Sequence, residues 1–173
     1  MDNFPVRKHP RLKEYNYSRQ GYYFITINAC DNKPILSSVG RGLAPADTEI
    51  ALTPIGKVAE NQLFALETRY DYAKIDKYVI MPTHIHAIII LTQETAGASP
   101  RPTLCDIICA YKSLVTRICN KNDNKQGRRI FQSSFYEKII RNESGYLEVC
   151  KYIAENPLKV NETDKKYSKH TQK

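Results

Sequence analysis

The sequence predicts an α+β fold in which one antiparallel sheet is covered by helices. Two observations lead to this class. Segments with strand and helix periodicity follow the order strand, helix, strand, strand, helix, strand, and the strand at 84–91 is apolar on both of its faces. A strand that is apolar on both faces belongs in the middle of a covered sheet. The 173 residues are enough for a single domain with one core.

The elements are predicted in chain order from local signals: strand 22–29, helix 54–67, strands 73–81 and 84–91, helix 104–120, strand 135–141 and a last helix. The first strand alternates aromatic and β-branched residues, and the first helix has Pro54 at its start, where proline is tolerated. Asn142 is suited to cap the last helix, and Pro157 disfavours helix beyond Asn156. This order of elements is that of the ferredoxin-like fold, in which the strand at 84–91 would be central.

The remaining stretches carry no regular pattern. Residues 1–20 are polar and basic and are predicted to form an extended arm, and 161–173 indicate a flexible basic tail beyond a single domain at 21–160. The glycines within 31–50 predict a loose hairpin, whereas the composition of 93–103 predicts a mobile linker.

Two of the four histidines lie at alternate positions of the apolar strand, where His84 and His86 flank Ile85. Because residues i and i+2 of a strand point to the same face, both imidazoles would project side by side. Buried neutral imidazoles need partners, and a pair held by a rigid sheet is suited to bind a divalent metal. Taken alone, such a pair is more often explained by two histidines that carbonyl groups or water satisfy.

The last helix places Tyr152 and Asn156 at positions i and i+4, so that a phenol and an amide share one edge. The chain has 12 tyrosines, most of which must serve in packing or at the surface. Tyr152 therefore becomes a candidate functional residue only in combination with Asn156 and the two histidines.

The chain is basic, with a formal charge of +8 from 26 Lys and Arg residues against 18 Asp and Glu residues. No basic amphipathic helix and no long apolar run is visible, so a polyanion such as nucleic acid is a better partner than a membrane. The tyrosines of the basic arm would stack on unpaired bases. The candidates for nucleic-acid contacts are Arg128, Arg129, Lys112, Arg141, Tyr15 and Tyr17.

The five cysteines form no CxxC pair and no zinc-type spacing. Such cysteines are typical of reduced structural thiols. Since no signal-peptide pattern is visible either, we expect a cytoplasmic protein that associates with the nucleoid when it binds DNA.

Five segments of the chain follow one another in a recognisable order: GYYFITI at 21–27, VIMPTHIH at 79–86, AYKSLVT at 110–116, YEKIIRNE at 136–143 and YIAENP at 152–157. Together they resemble the REP-associated tyrosine transposases. These are single-tyrosine members of the HUH endonuclease superfamily, in which two histidines flank one hydrophobic residue. The resemblance extends from about residue 15 to 160, and five motifs in order are far more specific than any one of them.

The resemblance implies that the histidines lie on a central strand and that a catalytic tyrosine lies on a C-terminal helix packed across the sheet. It assigns Tyr152 as the nucleophile and His84, His86 and Asn156 as ligands of Mg²⁺ or Mn²⁺. The implied enzyme nicks single-stranded DNA, on hairpin or palindromic repeats, and forms a 5′-phosphotyrosine bond and a free 3′-OH. It needs no nucleotide cofactor and would act in cis as a monomer or weak dimer.

Three positions depart from the family pattern: Thr83 stands where asparagine is usual, Phe131 replaces a common tryptophan, and Lys138 replaces a histidine. Two other functions therefore stay open. One is a domesticated relative that binds hairpin DNA without cutting it, and the other is a metal-dependent nuclease that activates water. A covalent protein–DNA adduct distinguishes the transposase from both.

Overall fold

The computed structural model describes residues 19–41, 48–92 and 101–168, with the side chains of the last helix described as far as Leu158. Most of the predicted arm and most of the predicted linker lie outside these residues. The strands are β1 Gly21–Asn28, β2 Ser37–Arg41, β3 Thr48–Leu52, β4 Ala73–Ile80, β5 His84–Leu91 and β6 Tyr136–Ile140. The helices are α1 Pro54–Arg69, α2 Leu104–Asn122 and α3 Glu143–Ser168.

The main sheet has the strand order β4-β5-β1-β6, and every neighbouring pair is antiparallel. The histidine strand β5 is therefore an inner strand, and the predicted α+β fold with a ferredoxin-like antiparallel sheet is confirmed. The segment predicted as a loose hairpin forms a separate two-stranded sheet of β2 and β3. None of the helices in the described ranges is long and apolar enough to cross a membrane.

The two faces of the main sheet carry two separate cores. Alternate residues of β1 and β5 on one face, among them Tyr23, Ile25 and Ile89, are buried in a large core against α1 and α2. On the opposite face, Phe24 and Ile88 belong to a smaller core that also contains residues of α3. Because a strand points successive side chains to opposite faces, the histidines at 84 and 86 share the face that α3 covers.

The last helix is anchored by its cap and by its apolar face. The side-chain Oδ1 of Asn142 accepts a hydrogen bond from Gly145 N at 2.9 Å, and Val149 and Ile153 are buried in the smaller core. The predicted end of the helix at Asn156 is wrong, because α3 continues through Pro157 to Ser168. Burial of the turn before the proline favours helical geometry there, and this packing outweighs the local preference. The predicted basic tail thus begins within the helix.

Candidate active site

The floor of the candidate site is formed by the two histidines of β5. Their ring centroids lie 4.5 Å apart, and His86 is only 4 % exposed. Phe24 of the neighbouring strand β1 stacks on the His86 ring with a centroid distance of 5.3 Å. The strand geometry therefore brings both imidazoles together on a rigid and largely apolar surface.

The helix α3 brings Tyr152 and Asn156 over this floor. The Tyr152 ring centroid lies 5.1 Å from that of His86 and 5.9 Å from that of Phe24. Asn156 is 7 % exposed and forms a side-chain hydrogen bond with His84, whereas Tyr152 is 39 % exposed. The four side chains singled out in the sequence thus converge, with the amide buried beside a histidine and the phenol open to solvent.

Each histidine has a hydroxyl beside its Nδ1 atom. Thr26 Oγ1 lies 2.9 Å from His86 Nδ1, and Thr83 Oγ1 lies 3.0 Å from His84 Nδ1. The hydroxyl that occupies Nδ1 orients the ring and leaves the other nitrogen, Nε2, for a further partner. Among the described residues, the buried Nε2 of His86 makes no hydrogen bond.

Both histidines are held in the neutral form. Burial, together with a smaller effect of the nearby His84, lowers the pKa of His86 to about 3. Burial also lowers the pKa of His84, although the hydrogen bond with Asn156 opposes this shift. A neutral imidazole offers a lone pair to a metal, so the site is suited to metal binding at neutral pH without first releasing protons.

The donor set fits a cation whose coordination shell is completed from outside the protein. Within the described residues, no group of three or more His, Cys, Asp or Glu side chains could hold a metal. Two imidazole nitrogens and one amide oxygen are the donors that this chain offers, and they suit Mn²⁺ and tolerate Mg²⁺. The buried Nε2 of His86, which has no hydrogen-bond partner in the part of the chain that the structure describes, is the observation in favour of such a cation.

A groove of about 380 Å³ runs between β6 and α3 beside Tyr152. Lys138 faces it from β6, directly opposite Phe24 in the strand register, and Lys151 faces it from α3. Lys151 also pairs with Glu155 at 3.7 Å on the exposed side of the helix. The groove is lined by Phe24, Tyr136, Lys138, Glu148, Val149, Lys151, Tyr152 and Glu155.

The sequence of the chain is similar to that of a bacterial protein along most of its length. It is 31 % identical over 167 residues to an uncharacterized protein of Haemophilus influenzae, and the match covers 88 % of each chain. The chain belongs to the family of this Haemophilus influenzae protein. No family model matches the sequence.

Two solved structures have folds similar to that of this chain. One is the structure of a REP-associated tyrosine transposase bound to a REP hairpin. The match covers 86 % of this chain and 74 % of the transposase chain, with 21 % sequence identity and a TM-score of 0.51. The other is a predicted transposase from Deinococcus radiodurans R1, with 14 % identity and a TM-score of 0.48 over 84 % of this chain and 95 % of its own. The first similarity confirms, at the level of the fold, the resemblance to the REP-associated tyrosine transposases.

Two of the basic residues predicted to contact DNA have partners within the fold. The Arg128 guanidinium lies 2.6 Å from the Asp123 carboxylate and donates to Asn120 Oδ1, so it braces the end of α2. Lys112 is 9 % exposed, and its Nζ donates to the carbonyl oxygens of Ser133 and Ser134 at 2.8 and 3.3 Å. The buried Lys112 ammonium needs acceptors because it is desolvated, and it finds them in these backbone carbonyl groups.

The other predicted DNA contacts are spread over the chain. Arg129 is exposed and lines a second groove beside α2, whereas Arg141 lines a third groove with Tyr22 and Tyr146, past the end of β6. The predicted stacking residues Tyr15 and Tyr17 lie outside the described residues.

The sequence-based interpretation missed Thr26 as part of the site. Alternation along β1 places Thr26 on the same face as Phe24, which could have been read from the sequence. Its position opposite His86 follows from the pairing register of β1 with β5, and the sequence gives no signal for that register.

Proposed function

We propose that this protein is a metal-dependent tyrosine transposase that nicks single-stranded DNA and becomes linked to the 5′-phosphate through Tyr152. The observation that carries the proposal is the convergence of an exposed phenol with two neutral imidazoles and a buried amide. The fold shared with a solved transposase of this class supports it.

His84, His86 and Asn156 would hold the cation, Mg²⁺ or Mn²⁺. When bound, it would polarise the nonbridging oxygens of the scissile phosphate and stabilise the negative charge that develops on them. Thr26 and Thr83 orient the two rings toward this task through their hydroxyls. The hydroxyl of Thr83 gives the residue a role at a position where the family usually has asparagine.

Tyr152 supplies the nucleophile. Its Oη gives up a proton to solvent and attacks phosphorus, so that the Oη–P bond forms while the bond from phosphorus to the 3′-oxygen breaks. The departing 3′-oxygen takes up a proton and becomes a free 3′-OH. Lys138 and Lys151 line the groove beside the phenol, where their positive charges attract the phosphate.

The phosphotyrosine bond retains the phosphodiester in an activated form, which makes the nick reversible. A 3′-OH that enters the same groove can attack phosphorus, displace Tyr152 and join two strands. No nucleotide cofactor is needed for this exchange, because one phosphodiester replaces another.

The proposed substrate is single-stranded DNA next to a hairpin. A solved transposase with this fold is bound to a REP hairpin, which supports a hairpin partner for this chain. The basic charge of +8 supports a polyanion. Tyr136, which is 51 % exposed in the groove, offers a face on which an unpaired base can stack. We place this activity in the cytoplasm, at the nucleoid.

The proposed enzyme acts in cis, as a monomer or weak dimer. Support comes from α3, which packs on the sheet of its own chain and brings Tyr152 to the histidines of that same chain. A second protomer is not required to complete the site.

The test is incubation of the protein with a DNA stem-loop that carries a single-stranded extension, in Mn²⁺, followed by denaturing electrophoresis. We expect a protein–DNA adduct from the wild type and none from Tyr152→Phe, which still binds the DNA. Tyr136→Phe is the matched control, because it removes a phenol from the same groove and should retain the adduct.

Other outcomes would reject the proposal in different ways. Cleaved DNA without an adduct would identify a nuclease that activates water, and tight binding without cleavage would identify a hairpin-binding protein. An adduct that persists in Tyr152→Phe and disappears in Tyr136→Phe would move the nucleophile to β6.

A further inference from the structure

A second groove lies between α2 and the segment that leads to β6. It has a volume of about 480 Å³, and we call it the α2 groove. Its lining residues are Lys112, Ser113, Thr116, Arg117, Arg129, Phe131, Gln132 and Ser133. None of these eight residues is acidic, in contrast to the groove beside Tyr152, which includes Glu148 and Glu155.

The chemistry of the α2 groove matches phosphate rather than nucleobases. Arg117 and Arg129 are both exposed, and their guanidinium groups can each donate two hydrogen bonds to a phosphate. Ser113, Thr116 and Ser133 add hydroxyl donors. The aromatic residue of the lining, Phe131, is buried at 5 % exposure, so the described residues of this groove present no ring on which a base could stack.

The wall of the α2 groove is held in place by hydrogen bonds. The buried Lys112 Nζ donates to the carbonyl oxygens of Ser133 and Ser134, and Gln132 N donates to Asn28 O at 3.0 Å. A preorganised wall loses little conformational entropy when a ligand binds. Lys112 thus positions the wall of the α2 groove through its hydrogen bonds to the backbone carbonyl groups of Ser133 and Ser134.

The α2 groove meets the sheet at the end where the histidines lie. Gln132 is bonded to Asn28, and Asn28 pairs with His84 in the register of β1 and β5. DNA that occupied this groove would therefore run toward the edge of the candidate active site.

We propose that the α2 groove binds the sugar–phosphate backbone of the duplex stem that adjoins the cleaved single strand. A duplex displays phosphates while its bases are stacked inside, which matches a groove with cations and hydroxyls and no exposed aromatic ring. The single strand would lie in the other groove, where Tyr136 and Tyr152 are exposed. This inference rests on the proposed function for the identity of DNA as the partner.

The test compares two DNA probes in a Tyr152→Phe background, in which covalent linkage cannot disturb equilibrium binding. One probe is a synthetic stem-loop with a single-stranded extension, and the other is the extension alone. The variant is Arg117→Gln/Arg129→Gln. The control is Lys57→Gln/Arg69→Gln, which removes the same charge from exposed positions on α1. Anisotropy is measured over a range of salt concentrations, and thermal melting checks the fold of both variants.

We expect the groove variant to bind the stem-loop about tenfold more weakly and to reduce the slope of log affinity against log salt by about 2, one for each phosphate contact. Its affinity for the extension alone should not change, and the α1 variant should bind both probes as the parent does. Equal losses for both probes, no loss for either, or an equal loss in the α1 variant would each overturn the proposal.

The result of this binding test can be distinguished from the result of the adduct test of the proposed chemistry. If the wild type forms no adduct but the groove variant loses stem binding as expected, the chemistry fails and the duplex surface stands. If the adduct forms and the groove variant binds the stem normally, the duplex surface fails and the chemistry stands.

Discussion

Thr26→Val tests whether the candidate site is built to bind a cation through His86. The substitution keeps the shape of the side chain and removes the hydroxyl that lies 2.9 Å from His86 Nδ1. If Nε2 is the atom that binds the cation, Nδ1 carries the proton and donates it to Thr26 Oγ1. Valine cannot accept this hydrogen bond, so the ring loses the contact that sets its tautomer and orientation.

The size of the effect follows from the burial of His86, which is 4 % exposed and cannot exchange the hydroxyl for bulk water. A buried polar group left without its partner costs about 1–3 kcal/mol of stability. Loss of a partner that orients a metal ligand reduces metal affinity by about 10- to 100-fold. We therefore expect a less stable protein that requires correspondingly more Mn²⁺.

Thr83→Val is the matched control, since Thr83 Oγ1 makes the equivalent contact with His84 Nδ1 at 3.0 Å. His84 is less buried than His86, so water can replace the lost hydroxyl, and we expect smaller effects. Chemical denaturation without metal measures stability, calorimetry with Mn²⁺ measures affinity, and adduct yield at saturating Mn²⁺ measures the chemistry.

We expect adduct yield to recover at saturating Mn²⁺ in both valine variants, because the ligating atoms remain. The reasoning fails if Thr26→Val leaves the Mn²⁺ affinity unchanged, or if Thr83→Val has the larger effect on it. It also fails if Thr26→Val abolishes the adduct at every Mn²⁺ concentration while the protein stays folded.

Three further predictions concern the ligand set, the helix and the protonation of the site. Asn156→Ala should lower adduct yield less than His84→Ala does and should recover partly at higher Mn²⁺, because one of several ligands is lost; a Mn²⁺ titration of adduct yield measures this. Tyr146→Phe should destabilise the protein by about 1 kcal/mol in urea, since its Oη donates to Asp76 Oδ2 at 2.7 Å. The pKa of His86 is lowered from 6.5 to about 3, so its contribution to stability should be complete above about pH 6.5 and lost as the pH falls toward about 3. The midpoint of unfolding, measured over this pH range, should therefore vary less with pH in His86→Gln than in the wild type.

Much of the candidate site could be predicted because it depends on local geometry. Two histidines at i and i+2 share a face of any strand, and Tyr152 and Asn156 share an edge of any helix. Asn142 was also recognisable as a helix cap from its residue type, and its side chain does accept the hydrogen bond from Gly145. These relations hold whatever the rest of the chain does.

What the sequence did not reveal depends on contacts between distant elements. The strand register places Thr26 against His86. A shift in the pairing of β4 with β5, between Ile75 and Lys77, lies at Asp76, whose carboxylate accepts the hydrogen bond from Tyr146. Positive charge likewise identifies a residue type and not its partner, so the sequence did not reveal that Arg128 pairs with Asp123. Local patterns carry no information about which acceptors the fold brings near a cation.

The two halves of the site are held by different amounts of packing, and this difference bears on the proposed mechanism. The histidines lie on a sheet whose other face is buried in the large core with α1 and α2, whereas Tyr152 lies on a helix held by the smaller core around Val149 and Ile153. Fewer buried contacts mean that local displacement of a segment costs less free energy. The histidine pair is therefore the fixed half of the candidate site, and the tyrosine helix is the more readily displaced half. That division suits a nucleophile that must hold a covalently bound strand and still admit a second 3′-OH to the same phosphorus.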